Sequence, residues 1–463
     1  MIQATHSRQI TDLGIIVSSE QTDHLNYRSY LHAWFLLIAT SASAQVDPAF
    51  STLLDQQAKG IEAQVIDWRR HFHENPELSN REYNTGKYIA EFLKTLDLEV
   101  NYPMAKTGVV AILKGAKPGP VIALRADMDA LPVTERNGLP FMSKVTAKQG
   151  ETTTGVMHAC GHDSHMAILM GVASILSKNR NKLKGTIKFI FQPAEEDWAP
   201  GDTDGGAHLL VKEGVLENPK VDAIFGLHIQ SMLPSGQIAY RAEGLMAAVD
   251  GFDITVKGVG AHGATPWDGV DPVVLSSQIV MALQTIVSRQ VNITKTPAVI
   301  TVATIHGGVR RNIIPETVTI QGTIRTFDSS EQRMVHDAIR RTVKGITESA
   351  GATAAVDIQV GSPLTYNDPK LTAMMAPSLA RTAGANLKVT PPVTMAEDFS
   401  FYTLGTGVPG LFFFLGAYPA DMQLAAKPVH HTSDFMLDEK AFVTGVRALL
   451  HLSTDYLFAP STK

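Results

Sequence analysis

Apolar positions along the chain recur with two periods. From Asp47 through Trp68 and on toward His73 they fall every three to four residues, which predicts an amphipathic helix; Pro76 interrupts it, and a second helix is expected from about Glu82 to Leu96. Short apolar runs follow. Val109 to Leu113, Pro120 to Arg125, Thr186 to Gln192 and Ala223 to His228 read as strands, and His165 to Lys178 and Ala207 to Glu213 as the helices between them. Such alternation predicts a mostly parallel, helix-covered α/β sheet, with the near-continuous Val-Ile-Ala-Leu run of the second strand buried on both faces.

The texture changes near Gly244. Strands at Asp250 to Val256, Ala298 to Ile305, Thr317 to Arg325 and Ala354 to Val360 enclose helices at Pro272 to Arg289 and Ser330 to Ala350. That β-α-β-β-α-β order describes a ferredoxin-like α+β sandwich with an antiparallel sheet, inserted into the larger domain. Patterning then resumes from Pro369 through Arg381, Leu411-Phe412-Phe413-Phe414-Leu415 and a closing helix from Asp438 to Leu457. The expected layout is residues 45–243 and 362–463 as two parts of a catalytic domain, and 244–361 as an inserted lid or dimerisation domain.

A chain of 463 residues exceeds one ordinary core, which agrees with two domains. With 44% hydrophobic residues, 18% charged and a mean hydropathy of +0.02, it is globular and not fibrous. A net charge of -5 and no clustered Lys or Arg exclude a broad nucleic-acid face, leaving a small molecule or peptide as substrate. Residues 1–44 read as a signal peptide behind an upstream extension. Arg28 precedes the apolar run Ala33 to Ala39, and Ala42-Ser43-Ala44 offers a cleavage site that leaves Gln45 first; the plainer alternative is a tail with a chance apolar patch. The run is shorter than the roughly 18 residues of a membrane span, so no stable membrane insertion is expected once the leader is removed. Secretion or export to the periplasm follows from this reading.

The chemistry gathers at strand ends. Asp127 and Asp129 lie just past the second strand, where open α/β sheets place ligands. The single cysteine stands in His158-Ala159-Cys160-Gly161-His162-Asp163, and a thiolate and an imidazole two residues apart suit a borderline-soft divalent ion; taken alone, Cys160 fits a buried inert thiol equally well. Gln192-Pro193-Ala194-Glu195-Glu196 sets two carboxylates side by side after a strand. Adjacent side chains point apart, which suggests one metal ligand and one base. His228 ends another strand, and Val429-His430-His431 precedes Phe435 near the C-terminus.

Taken in order, these segments resemble the dinuclear metallo-amidohydrolases and carboxypeptidases, a family that includes hippurate hydrolases, N-acyl-amino-acid amidohydrolases and plant auxin-conjugate hydrolases. Trp68 to Leu78, Arg125 to Pro132, Cys160 to Asp163, Gln192 to Glu196, Gly226 to His228, Gly322 to Arg325, Ala396 to Phe399 and His431 to Phe435 carry the resemblance, which runs from about Leu53 to Leu457. It implies a zinc-peptidase-like catalytic domain and two divalent ions per subunit, zinc foremost, with manganese, cobalt or nickel as alternatives. By the same resemblance Cys160 bridges the ions, Glu196 and His431 complete one set of ligands, and His162 and His228 the other. Glu195 would be the general base and Asp129 a carboxylate that orients a ligand. Ser433 stands where relatives carry proline, and counting back from Phe435 selects His431 over His430.

Two bound ions polarise an amide carbonyl and acidify water; Glu195 would take the water's proton and pass it to the departing nitrogen. His262, in Gly260 to Pro266, would help stabilise the tetrahedral intermediate, in many relatives from the partner subunit; Trp267 replaces their usual histidine. Asn312 and Arg325 are the expected readers of a substrate carboxylate, and Glu397 is expected near the cleft, supporting ligands or substrate. The expected activity is hydrolysis of N-acyl amino acids, with a dipeptidase or carboxypeptidase as the alternative and a metal-stabilised binding protein as a third reading. A homodimer or homotetramer is implied. No glycine-rich phosphate fingerprint accompanies the α/β pattern.

Overall fold

The computed structural model describes residues 46–149, 152–196, 204–419 and 429–460. The expected leader lies outside the described residues.

Aspartate followed by proline starts several helices. Asp47 accepts the Ala49 amide ahead of α1 (Pro48–Gly60), Asp271 the Val273 and Val274 amides ahead of a later helix, and Asp368 that of Leu371 ahead of another. In each case the side chain satisfies an orphan amide, while proline supplies the helical φ where no N–H is needed. The long helix expected from Asp47 to His73 is two helices. Gly60 ends α1, Ile61 turns the chain, and α2 (Glu62–Glu74) follows. Then come α3 (Tyr83–Thr95), β1 (Glu99–Met104), β2 (Gly108–Lys114), β3 (Lys117–Asp127) and a small hairpin, β4 (Thr146–Gln149) with β5 (Thr152–Gly155). Next are α4 (His162–Lys178), β6 (Lys184–Gln192), α5 (Gly206–Lys212), β7 (Ala223–Pro234), β8 (Ile238–Tyr240) and β9 (Glu243–Met246).

The insert comprises β10 (Ala248–Lys257), β11 (Ala261–His262), α6 (Pro272–Gln290), β12 (Val299–Gly307), β13 (Ile313–Ile314), β14 (Thr317–Thr326), α7 (Ser329–Ser349) and β15 (Thr353–Val360). The chain returns through β16 (Thr365–Asn367), α8 (Pro369–Ala383), β17 (Leu387–Val389), the short α9 (Ser400–Thr403), β18 (Gly410–Tyr418) and α10 (Phe442–Phe458).

The large sheet has the order β1-β2-β6-β3-β7-β18-β8-β17. Its centre, β6-β3-β7-β18, is parallel, as the alternation predicts, whereas β1, β2 and β6 pair antiparallel and β8 runs against β18. The antiparallel flank escapes the periodicity because β1 is half-exposed and β8 is only 3 residues long. Every residue of β18 is buried, and Phe412-Phe413-Phe414 are core. One face of the sheet is covered by α2, α4 and α10, the other by α5, α9 and the elements around Leu245.

The inserted sheet has the order β12-β14-β10-β15, antiparallel throughout. Along β10 burial alternates residue by residue, and Phe252, Ile254 and Val256 pack against Leu275, Ile279 and Leu283 of α6 and Val335 and Ile339 of α7. The two chain crossings, β9 and β16, pair antiparallel. No helix among the described residues is long and apolar enough to cross a membrane.

Candidate metal centre

Parallel strands end on one side of the sheet, and there the polar groups meet. Arg125 and Asp127, two apart on β3, share a face. The buried Arg125 guanidinium donates to Asp127 Oδ2 (2.7 Å), Gln192 Oε1 (2.8 Å) and Asp398 Oδ1 (2.8 Å), and pairs with Glu397 Oε1 (2.8 Å). Burial opposes the charge, yet Glu397, Asp127 and Asp398 raise the Arg125 pKa well above its ordinary value. The other oxygen of Asp127 accepts from His165 Nδ1 at 2.6 Å. His165 Nε2 in turn accepts from the Ile229 amide at 2.8 Å. Both ring nitrogens are therefore used, so His165 braces the site through Asp127, and one atom of each lies within 4.8 Å of His162.

Between Cys160 and His162 the backbone must turn sharply to start α4. Gly161 takes φ +93°, and a Cβ there would meet Ile229 Cγ2 at 2.5 Å. His162 heads the helix, three residues earlier than the apolar pattern indicates. Its Nδ1 donates to the Asp129 carbonyl (2.9 Å), leaving Nε2 buried with no hydrogen-bond partner, 3.8 Å from Asp127 Oδ2 and 3.9 Å from Glu195 Oε2. His228 on β7 likewise commits Nδ1 to the Ile229 carbonyl (2.6 Å) and points Nε2 at Cys160 Sγ, 3.4 Å away. On the other side of the thiol, His431 Nε2 lies 3.3 Å from Cys160 Sγ and 3.0 Å from Glu196 Oε1.

Two donor sets thus share one sulfur: Cys160, His162 and His228, and Cys160, Glu196 and His431, the donor atoms of each lying within 4.8 Å of one another. Thiolate, imidazole and carboxylate donors, with His162 and His228 oriented by backbone carbonyls, fit a dinuclear divalent-metal site. His430 is turned elsewhere. It accepts the Ser231 amide at 3.1 Å and packs on Phe435 and His228, and burial pushes its pKa down to about 3.

The charges explain why ions belong here. Burial first, then Glu397, Glu196 and Asp398, raise Glu195 well above the usual carboxylate range. Burial first, then Glu196, Glu195 and Asp127, raise the Cys160 thiol. Burial opposes charge on His162, but Asp127 and Asp129 outweigh it and push the ring up to about 10. Crowded carboxylates beside a buried thiol are relieved by divalent cations.

Asp129 acts through both of its carbonyl groups. While its backbone oxygen fixes His162, its carboxylate accepts the Glu195 and Glu196 amides at 3.0 Å each and the Ser79 hydroxyl at 2.7 Å. Glu397 is buried and tied to Arg125, with Oε2 free of hydrogen bonds; one carboxylate oxygen each from Glu195, Glu397 and Asp398 cluster within 4.8 Å. The remaining candidates sit on the insert. His262 and Asn312 are exposed and adjoin on the β11–β13 ladder, where the Gly263 amide donates to the Asn312 carbonyl at 2.9 Å. Arg325 is half-buried on β14. Among the described residues, His262 is not one of the clustered donors of the metal centre. Sequence reasoning passed over Arg125, His165 and Asp398 as working parts; the alternation Arg125-Ala126-Asp127 at a strand end was the available signal.

Residues 123–455 match the profile of peptidase family M20/M25/M40. The chain is 41% identical over 397 residues to thermostable carboxypeptidase 2 of Saccharolobus solfataricus, covering 85% of this chain and 96% of that protein. To the N-acetyl-L-cysteine deacetylase of Bacillus subtilis it is 40% identical over 385 residues, 83% of this chain and 86% of that one. Among solved structures it resembles the Bacillus subtilis YXEP protein, described as a dinuclear metal binding peptidase, with a TM-score of 0.72 and 34% identity over 87% of this chain and all of that one.

Proposed function

Because this chain belongs to peptidase family M20/M25/M40, we propose that it removes a C-terminal amino acid from a short peptide, as a carboxypeptidase. The protein is a metal-dependent hydrolase of amide or peptide bonds with a dinuclear divalent-metal site. The observation that carries the reading is the pair of donor sets sharing Cys160, with Glu195 beside them. Cys160 would serve both ions, with Glu196 and His431 holding one and His162 and His228 the other, and zinc is the ion proposed. When bound, the pair supplies Lewis-acid polarisation of the scissile carbonyl and an acidified water.

Glu195 holds the proton taken from water and returns it to the leaving nitrogen, and the carboxylates around it favour its protonated form once the proton arrives. The Asp398 amide donates to Glu195 Oε1 at 3.4 Å and keeps Glu195 from swinging away. His262 steadies the oxyanion, and Asn312 and Arg325 read the substrate's carboxylate. Glu397 borders the substrate subsite.

The likeness to Saccharolobus solfataricus carboxypeptidase supports the peptide reading over the acylated substrate that the sequence favours. The second reading, hydrolysis of N-acyl amino acids, is supported by the N-acetyl-L-cysteine deacetylase likeness. Both leave a free amino acid as product.

The insert, residues 244–361, is proposed as a ferredoxin-like lid between catalytic segments 45–243 and 362–463, a reading its strand order supports. A homodimer is proposed in preference to a homotetramer. The edge strand β12 exposes Val299 and Ile305, and α6 turns Val273, Val274 and Met281 outward. Secretion or a periplasmic location rests on the leader reading alone.

The test is release of free amino acid from unblocked peptides, N-acyl amino acids and their carboxyl-amidated analogues, by zinc-loaded and chelated protein. Metal-dependent cleavage of peptides that ceases on amidation supports the proposal. Turnover confined to acylated amino acids moves the assignment to the second reading, and cleavage of amidated substrates removes the carboxylate role of Arg325.

A further inference from the structure

The corner that carries Glu195 and Glu196 is held from behind by two buried carboxylates. After β6 the chain passes Pro193 and takes a left-handed turn at Ala194, a non-glycine residue with φ +50°. Three consecutive amides, those of Ala194, Glu195 and Glu196, then point inward. Such a run of N–H groups forms a concave nest that attracts an anion. Here the chain fills it itself. Glu82 Oε1 accepts the Ala194 amide at 2.8 Å, and the two oxygens of Asp129 accept the next two.

Glu82 directly precedes α3 but caps no helix amide; its second oxygen takes the Thr107 hydroxyl at 2.6 Å. Both residues are fully buried. Burial and the nearby Asp129 carboxylate push Glu82 up to about 8. Keeping two repelling acids buried together is costly, and packing alone would be served by an apolar residue.

We propose that Glu82 is a positioning residue of the active site, holding the 194–196 corner so that Glu196 faces Cys160 and His431 while Glu195 faces the opposite side, toward His162 and Asp398. This rests on the roles given above to Glu195 and Glu196. A corner freed on one side can shift by a fraction of an ångström to an ångström, and misplacement on that scale costs about 100-fold in turnover. Glutamine at position 82 keeps the acceptor for Ala194 and can donate to Thr107, so it should rescue.

The experiment compares E82L, E82Q, T107V and L93A with the parent protein in zinc-loaded form, using hippuryl-phenylalanine and N-acetylmethionine. Measured quantities are kcat, KM, bound zinc during chelator titration, and Tm. E82L should lose about 100-fold in kcat with KM within about threefold, and should release zinc at a roughly tenfold lower chelator concentration. E82Q should stay within about fivefold of the parent, and T107V should lose about fivefold in kcat. Leu93 lies in the core side of α3 away from the corner, so L93A lowers Tm without a comparable fall in kcat.

The proposal is overturned if E82L keeps kcat within threefold, if L93A at matched Tm loses as much kcat as E82L, or if E82Q fails to rescue. Should E82L not fold, an unchanged kcat in T107V overturns it and a fall at constant KM supports it. E195Q separates the two levels. If E195Q turns over normally, the reading of Glu195 fails; if E195Q is dead while E82L is fully active, only the role of Glu82 fails.

Discussion

Replacing Arg125 by methionine tests whether the metal centre is built on a buried ion network. Arg125 is fully buried and faces three carboxylates, Asp127, Asp398 and Glu397, at 2.7 to 2.8 Å, along with Gln192. Methionine fills most of the volume but leaves those acids without their central cation. Removing one partner of a buried pair costs about 3–5 kcal/mol, chiefly because the charges left behind are uncompensated. At about 2 °C per kcal/mol for a domain of this size, R125M should lower Tm by about 6–10 °C.

The loss should be larger in chelated protein, since bound divalent ions supply positive charge to the same acids. R125K should fall between, because one ammonium cannot reach acceptors that the guanidinium fork spans. Thermal unfolding by circular dichroism at one scan rate, with and without chelator, measures both effects. A Tm within about 2 °C of the parent in both conditions would refute the network as the scaffold of the site.

Gly161→Ala places a Cβ 2.5 Å from Ile229 Cγ2 at a left-handed φ; a cost of roughly 1–2 kcal/mol and a fall in bound metal are expected, readable by elemental analysis, and two retained ions with parent activity would contradict the turn's role. His431→Ala should leave about one ion per chain and cut turnover at least about 100-fold, whereas His430→Gln should keep both ions; the reverse pattern in metal content would reassign the ligand. Acid should loosen the contact of α1 with α10. Burial pushes Asp55 up, but hydrogen bonds from Arg447 and then the charges of His451 and Arg447 hold its pKa below the ordinary value. Its contribution is full above about pH 4 and is lost as pH falls through the lower folded value. D55N should therefore cost about 0.5–1 kcal/mol near pH 7 and flatten the acid limb of a Tm-against-pH curve; an acid limb as steep as the parent's would rule this out.

Much of this was legible in one dimension, for reasons that differ by residue. Asp-Pro pairs announced three helix starts, because a cap and a fixed φ are local requirements. Apolar β3, β6, β7 and β18 announced the covered sheet, since burial on both faces leaves no room for polar residues. Gly60 hid the break between α1 and α2, as both halves keep the same apolar stripe. Ligand-like residues were recognisable by type and order, yet histidines 430 and 431 look alike along the chain. Their separation, one on the Ser231 amide and one on Cys160 and Glu196, appears only when β7 and the 429–435 loop meet.

The sequence by itself determined the two-domain plan, the family and the set of chemically able side chains, because each follows from local periodicity or from short ordered motifs. Only the tertiary structure decided which of those side chains are free to act. His165 spends both nitrogens on Asp127 and Ile229, His162 and His228 spend one each on a carbonyl, and Glu82 and Asp129 spend their oxygens on the 194–196 amides. Apart from the His228 bond to its neighbour Ile229, hydrogen bonds between residues far apart in the chain make that allocation, and no spacing rule along a strand or helix encodes it.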